Sequence, residues 1–131
     1  MEELINLGLS QNTIRSMLEI IPEISQITKK DILEKTFLLK KVDCSELQIL
    51  SIISSNPNYL LRTNGEIIDL IECLLKYGFK TLNILFDSNP FILSLEKFEI
   101  DNYINKRISN NELLEDIIDD LDSNPYLFSE V

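Results

Sequence analysis

Four carboxylates towards the C-terminal end of the chain have a spacing that could support chemistry. Glu112, Asp116 and either Asp119 or Asp120 follow one another at steps of three or four residues, which on a helix places them along one side. Such a row could hold a divalent cation or contact a basic partner. It equally fits the solvated outer face of a terminal repeat, and it does not match a calcium-binding loop. We predict no metal and no cofactor from it.

Basic side chains form a second pattern. They recur near the ends of three successive predicted helices: Lys40 with Lys41, Lys76 with Lys80, and Lys106 with Arg107. In a stack of repeats, equivalent positions align into a ridge, so these side chains could follow a phosphate backbone or an acidic protein surface. The simpler interpretation is that cations favour helix C-termini, by about 0.3–1 kcal/mol.

Catalytic groups are scarce in this sequence. It has no histidine, and its three glycines are isolated, so neither a histidine-based acid–base pair nor a glycine-rich phosphate loop can be assembled. Cys44 and Cys73 are best interpreted as small apolar fillers. Two thiols without histidine cannot complete a structural zinc site. We therefore predict that the protein is not an enzyme.

Composition favours a single domain over residues 1–131, with a hydrophobic fraction of 44% that is too high for disorder. No apolar run approaches the roughly 20 residues needed to span a bilayer. The acidic start, Glu2-Glu3, lacks the features of a signal peptide. We therefore expect a cytoplasmic protein without membrane contact. The net charge is −10, and residues 101–131 carry eight acids and two bases, a field that repels phosphate at long range.

The four prolines are almost evenly spaced. They stand at positions 22, 57, 90 and 125, and three of them close the same tripeptide, Ser-Asn-Pro, before an aromatic or apolar cluster. A period of 33–35 residues is typical of stacked-repeat proteins. It predicts an all-α helical-repeat solenoid of about four units, with approximate limits 1–28, 29–63, 64–94 and 95–131.

Apolar residues recur at helical steps throughout the chain. Each unit is therefore expected to hold two helices and a short 3-10 turn that begins at its proline. The predicted helices are 2–7, 11–20, 29–41, 44–54, 65–77, 80–87, 95–107 and 110–121. Capping boxes are expected to begin at Thr28, Asp43, Thr63 and Ser109, with Gly8 and Gly78 ending helices. Five aromatic side chains are expected in the core: Phe37, Tyr59, Phe86, Phe91 and Phe98.

The unit resembles the repeat of the mTERF (mitochondrial transcription termination factor) family. The matching phrases are Leu7-Gly8-Leu9-Ser10 followed by Ile21-Pro22, then Asn56-Pro57 before Leu60-Leu61, Asn89-Pro90 before Ile92-Leu93, and Asn124-Pro125 before Leu127. The resemblance covers almost the whole chain. It implies a stack of helix pairs, each with a short third helix, curved into a left-handed superhelix whose basic concave groove holds nucleic acid.

Three functions are consistent with the sequence. Charge balance and small size favour a module that binds a protein partner through the curved face or the acidic last unit. The resemblance implies a nucleic-acid-binding transcription regulator that uses the Lys/Arg ridge. The third function is an acidic decoy that competes with nucleic acid for a basic protein. Leu127, Phe128 and Val131 either form an apolar docking edge or fold back onto the last helix.

Overall fold

The computed structural model describes residues 2–131, which form an all-α structure. Within this range there is no strand, and no helix has both the length and the apolar character needed to cross a membrane. The α-helices are α1 Glu2–Leu7, α2 Gln11–Ile20, α3 Lys29–Lys41, α4 Glu46–Ser55, α5 Asn64–Tyr77, α6 Leu82–Ser88, α7 Lys97–Ser109 and α8 Leu114–Ser123. The 3-10 helices are η1 Pro22–Gln26, η2 Pro57–Leu61, η3 Pro90–Ser94 and η4 Pro125–Glu130.

The elements follow the order α-helix, α-helix, 3-10 helix four times over. The first α-helices of successive repeats, α1, α3, α5 and α7, pack against one another and form what we call the first-helix row. The 3-10 helices η1 to η4 form a second row, and α4 packs against both α6 and η3 of the following repeat. Each repeat therefore covers part of the next, and the predicted all-α helical-repeat fold is confirmed.

Side-chain caps fix where several helices begin. Thr28, Ser45 and Thr63 each accept a hydrogen bond from the backbone N–H three residues later, and the side chain at that later position accepts from the backbone N–H of the cap. Gly8 and Gly78 follow α1 and α5 with φ of 110° and 106°, a left-handed conformation that favours glycine. The boxes predicted at Thr28 and Thr63 and both glycine stops are confirmed.

Two of the predicted capping boxes are wrong. Asp43 lies in the turn after α3 with φ of 69°, and Ser45 caps α4 instead. Ser109 is the last residue of α7, and Asn111 follows it with φ of 69° before α8 begins at Leu114. In both turns a left-handed residue redirects the chain, so the next helix starts later than the capping pattern indicates.

Each proline starts a 3-10 helix, where its missing N–H removes no hydrogen bond. The residue before each proline closes the preceding α-helix by donating its backbone N–H to the carbonyl four residues back. After the second proline, Tyr59 is fully buried, and its hydroxyl donates to the backbone carbonyl of Lys35 at 2.6 Å. The proline corners thus direct the following apolar side chains into the core.

The aromatic side chains only partly follow the expectation that they lie in the core. Tyr59 and Phe86 are fully buried, as predicted. Phe37, Phe91 and Phe98, by contrast, are 58%, 46% and 62% exposed, so the prediction is wrong for these three. The apolar stripes are broad enough to include outward positions, and helical spacing alone does not separate those positions from the buried ones.

The C-terminal residues fold back onto the stack. Phe128 is fully buried and packs on Phe79 with ring centroids 5.8 Å apart. Leu127 and Val131 are partly buried against the same core. Of the two arrangements left open by the sequence, the structure therefore has the folded-back one.

An asparagine at the end of α4 ties the second repeat to the third, and another at the end of α6 ties the third repeat to the fourth. Asn56 Nδ2 donates to the carbonyl of Pro90 and to the hydroxyl of Ser94, both at 2.8 Å. Asn89 Nδ2 makes the same pair of bonds one repeat later, to the carbonyl of Pro125 at 2.9 Å and to a serine hydroxyl at 3.2 Å. We call this arrangement the asparagine clasp. It makes the Ser-Asn-Pro tripeptide a coupling device as well as a helix stop.

Candidate functional site

Four lysines of the predicted ridge lie at one end of the first-helix row. Lys40 and Lys41 are the last two residues of α3, Lys76 is the second-last residue of α5, and Lys80 follows in the loop to α6. Because α3 and α5 pack side by side in successive repeats, their ends bring these side chains to one edge of the stack. Counted from the capping residue of each helix, Lys41 and Lys76 occupy the same position.

These four lysines are exposed and make no ion pairs with the part of the chain that the structure describes. No carboxylate among residues 2–131 lies within 4.0 Å of the ammonium group of Lys40, Lys41, Lys76 or Lys80. The Lys41 ammonium lies 5.7 Å from the ring centroid of Phe37, which is itself exposed. Because no carboxylate lies within ion-pairing distance of them, these ammonium groups are available to bind an external anion.

The third basic pair differs from the other two. Lys106 is exposed and unpaired within the described residues, but it lies three residues before the end of α7. Arg107 donates to Glu112 from Nε at 2.9 Å and from Nη2 at 2.6 Å, and Nη2 also lies 2.9 Å from Asp120 Oδ2. The hydrogen bonds between them raise the pKa of Arg107 and lower that of Glu112. Arg107 is therefore held by acids of its own repeat.

This contact divides the predicted acidic face. Glu112, in the loop before α8, and Asp120, on α8, turn towards Arg107. Asp116 and Asp119 stay exposed on α8, so the four carboxylates do not form one row. Nowhere in residues 2–131 do three His, Cys, Asp or Glu side chains group closely enough to hold a metal ion.

Charge is sorted between the helices of each repeat. Nine of the 12 Lys and Arg side chains lie on α3, α5 and α7. The whole first-helix row, which also includes α1, carries nine acids, so its charges balance. The second helices α2, α4, α6 and α8 carry eight acids and one base, Arg15. The net charge of −10 is thus concentrated away from the first-helix row. A protein of this net charge can still present a locally basic edge.

The basic edge adjoins a groove of mixed charge between α5 and α7. This groove has a volume of about 570 Å³, and its lining includes Asp69, Glu72 and Lys76 of α5 and Lys97 and Asp101 of α7. Tyr77 donates its hydroxyl proton to Asp101, and Cys73 Sγ lies 3.7 Å from the same carboxylate. Acids and bases therefore lie side by side in this groove, next to the ridge lysine Lys76.

Neither cysteine has the surroundings of a nucleophile. Cys44 and Cys73 are both buried and form no disulfide. Burial raises the pKa of each thiol to about 11. Both are therefore protonated at neutral pH and lack the thiolate that nucleophilic catalysis and metal binding require. They fill apolar space, as predicted.

Comparison with known proteins adds one match to this geometry. The mTERF family model matches residues 1–105. The chain belongs to the mTERF family. No curated protein and no solved structure matches it. The family match ends within α7, so the contact between Arg107 and its two acids lies outside the part of this mTERF chain that follows the family pattern.

The sequence carried a signal for the asparagine clasp that was missed. In this mTERF protein, each clasp ends on a serine four residues after a proline, at Ser94 and Ser129. The sequence gives no comparable signal that the Lys35 side chain is buried. It is buried, it donates from Nζ to Asn64 Oδ1 at 2.8 Å, and burial lowers its pKa. Its position on a charged helix resembles that of its exposed neighbours, so only the packing of α3 against α5 distinguishes it.

Proposed function

We propose that this mTERF protein binds nucleic acid through the ends of its first helices. The mTERF family is a helical-repeat family that binds nucleic acid. The observation that carries the proposal is a set of exposed lysines that form no ion pair with any carboxylate in residues 2–131: Lys40, Lys41, Lys76, Lys80 and Lys106. In a chain with 22 acids and 12 bases, ammonium groups left unpaired in successive repeats favour phosphate as their partner.

The chemistry of lysine sets the character of this binding. Lysine contacts phosphate as a flexible point charge, and phosphate contacts position a nucleic acid without reading its bases. Each contact releases counterions, so affinity falls steeply as salt rises. The acids elsewhere on the molecule oppose the approach of phosphate at long range. We therefore expect weak, sequence-independent binding that is clearest at low ionic strength.

A pair of charge-matched double variants tests the proposal. Lys40→Glu with Lys41→Glu reverses the exposed end of α3, whereas Arg15→Glu with Lys30→Glu reverses two exposed bases outside the ridge, one on α2 and one at the opposite end of α3. Each double variant moves the net charge from −10 to −14, because each reversal changes it by two. Fluorescence anisotropy with labelled RNA and DNA at low salt measures the affinity.

The ridge variant is expected to bind at least tenfold more weakly than the wild type, with the control pair losing much less. Equal losses in the two variants would mean that binding follows total charge, and would contradict a ridge. Absence of binding by the wild type at low salt would reject the proposed function itself.

A protein partner is the second candidate, favoured by the outer surface of α8. Leu113 is 68% exposed next to the start of this helix, beside the exposed acids Glu115, Asp116 and Asp119. An apolar side chain among carboxylates suits a basic, amphipathic partner. A pull-down with wild type and with Asp116→Lys, Asp119→Lys tests it. Capture of a partner should be lost in that variant and kept in the ridge variant, and the reverse result would reject this candidate.

A further inference from the structure

We infer that the first repeat, residues 2–27, opens as a separate unit while the other three repeats stay folded. All four repeats share one apolar core. The polar bonds that cross from one repeat to the next are distributed unevenly along the stack, and this difference singles out the first junction.

The junction between the second repeat, residues 28–62, and the third, residues 63–95, is rich in side-chain hydrogen bonds. The Asn56 clasp crosses it. Lys35 Nζ donates to Asn64 Oδ1 at 2.8 Å. Arg62 Nη1 donates to the backbone carbonyls of Leu93 and Leu95 at 2.6 and 2.8 Å. Separating these repeats would leave several partly buried polar groups without partners.

The junction between the third repeat and the fourth, residues 96–131, is held in the same way. The Asn89 clasp crosses it. Tyr77 and Cys73 of α5 both contact the Asp101 carboxylate of α7. The fourth repeat therefore cannot leave the stack without breaking side-chain hydrogen bonds on both the first-helix side and the 3-10 side.

The first junction has no hydrogen bond of this kind. Among residues 2–131, the polar link between the first repeat and the rest is one ion pair, Glu3 Oε1 to Lys29 Nζ at 3.7 Å. The Lys29 side chain is 69% exposed, and a pair of this kind adds little stability. Buried Leu4, Met17 and Ile24 hold the first repeat by apolar contact alone.

The sequence explains why the first clasp is missing. Ile21 stands before its proline where Asn56 stands one repeat later, so it has no side-chain amide to donate. Leu61 stands four residues after its proline where Ser94 stands one repeat later, so it has no hydroxyl to accept, and it is 41% exposed. Donor and acceptor are thus absent together. In addition, α1 has only 6 residues where α3 has 13, which shortens the contact along the first-helix row.

Repeat stacks open at their weakest junction because each repeat is stabilised mainly by its neighbours. Asn6 and Leu7 of the first repeat line the same crevice as Lys40, so opening would change the surroundings of one ridge lysine. The opening itself is a property of the fold, whether or not the ridge binds nucleic acid.

Native-state hydrogen exchange tests the inference on the unmodified chain. The probes are backbone amides at buried positions of α2 and α8, Ile14 and Met17 against Ile117 and Leu121. Both are second helices of 10 residues in an end repeat, but only the α8 repeat is clasped. The α2 amides should exchange at least tenfold faster than the α8 amides. Equal rates, or faster exchange in α8, would overturn the inference.

Building the missing clasp gives a second test. Ile21→Asn with Leu61→Ser places the donor and acceptor of the later clasps at the first junction. Ile21→Asn alone should speed α2 exchange, because it removes apolar contact and adds an unpaired amide, and Leu61→Ser alone should change it little. The double variant should restore α2 exchange towards the wild-type rate. A double variant that exchanges as fast as Ile21→Asn would contradict the role assigned to the clasp.

Discussion

At the scale of single residues, the asparagines of the three Ser-Asn-Pro tripeptides do not make the same bonds. Asn56 and Asn89 each have a following repeat and form a clasp with it. Asn124 has none within the described residues, and its Nδ2 turns back to the carbonyl of Asp120 at 3.2 Å. All three asparagines close an α-helix, but only two of them join repeats.

Alanine substitutions separate these two roles. Asn56→Ala should lower the free energy of unfolding by about 1–3 kcal/mol, because a partly buried carbonyl and a partly buried hydroxyl lose their donor. Asn124→Ala should lower it by less than about 1 kcal/mol, since its bonds stay within its own helix end. Urea unfolding followed by circular dichroism measures both. Equal losses would show that the clasp contributes nothing beyond the helix stop.

Two glycines should respond to alanine with opposite signs. Gly78 has φ of 106° and open space around it, so Gly78→Ala meets only the left-handed strain of about 1–2 kcal/mol. Gly65 lies in the first turn of α5, also in open space, and Gly65→Ala should stabilise by up to about 1 kcal/mol. Thermal unfolding reports both shifts, and a stabilised Gly78→Ala protein would contradict the assigned helix stop.

At the scale of elements, helix limits were predictable wherever local signals act alone. The predicted limits of α2 and α3 agree with the structure, because Ser10 and Thr28 cap them and proline or a charged pair marks their ends. The start of α8 was not predictable in this way. The capping pattern assigns Glu112 to a capping box, but its carboxylate instead accepts two hydrogen bonds from Arg107 across the turn. A contact from α7 to the loop before α8 overrides the local signal there.

Arg107 is the most informative position for this element-level contact. Arg107→Gln should leave Glu112 and Asp120 facing each other without a cation, and should destabilise by about 1 kcal/mol at low salt and less at high salt. Lys106→Gln is the matched control, since Lys106 is exposed and unpaired among residues 2–131 and should change stability by less than about 0.5 kcal/mol. Urea titrations at two salt concentrations measure the free energy of unfolding of both variants. No difference between the variants would mean that the Arg107 contact adds nothing to stability.

At the scale of the whole molecule, three carboxyl groups make the free energy of unfolding depend on pH in the acidic range. Hydrogen bonds from Thr28 and Thr63 lower the pKa of Asp31 and Glu66, and Arg107 lowers that of Glu112. A carboxyl with a lower pKa in the folded state stabilises the fold above its unfolded value, here 3.8 for Asp and 4.5 for Glu. That contribution disappears as the pH falls through the lowered folded value.

The triple variant Asp31→Asn, Glu66→Gln, Glu112→Gln isolates this effect from the general charge of the chain. Between about pH 5 and pH 3, the wild type should lose more unfolding free energy than the triple variant, because only the wild type has to protonate these three groups. Urea unfolding across that pH range measures the difference. Parallel losses would contradict the assigned pKa shifts.

The whole-molecule charge explains why the candidate site was only half predictable. The sequence correctly indicates that lysines recur at helix ends, because capping signals and apolar spacing locate those ends. It does not indicate which lysines stay free, since that depends on where the acids of neighbouring helices point. Arg107 and Lys40 look alike in sequence, and only packing shows that one is paired with Glu112 and the other is not.

The salt dependence of nucleic-acid affinity tests the central claim most directly. If up to five lysines contact phosphate, the logarithm of the association constant should fall with the logarithm of salt concentration with a slope of about −3.5 to −4.5. Lys40→Gln with Lys41→Gln should make that slope shallower by about 1.4–1.8. Binding that is absent at low salt, or a slope unchanged in this variant, would contradict a lysine ridge that holds phosphate.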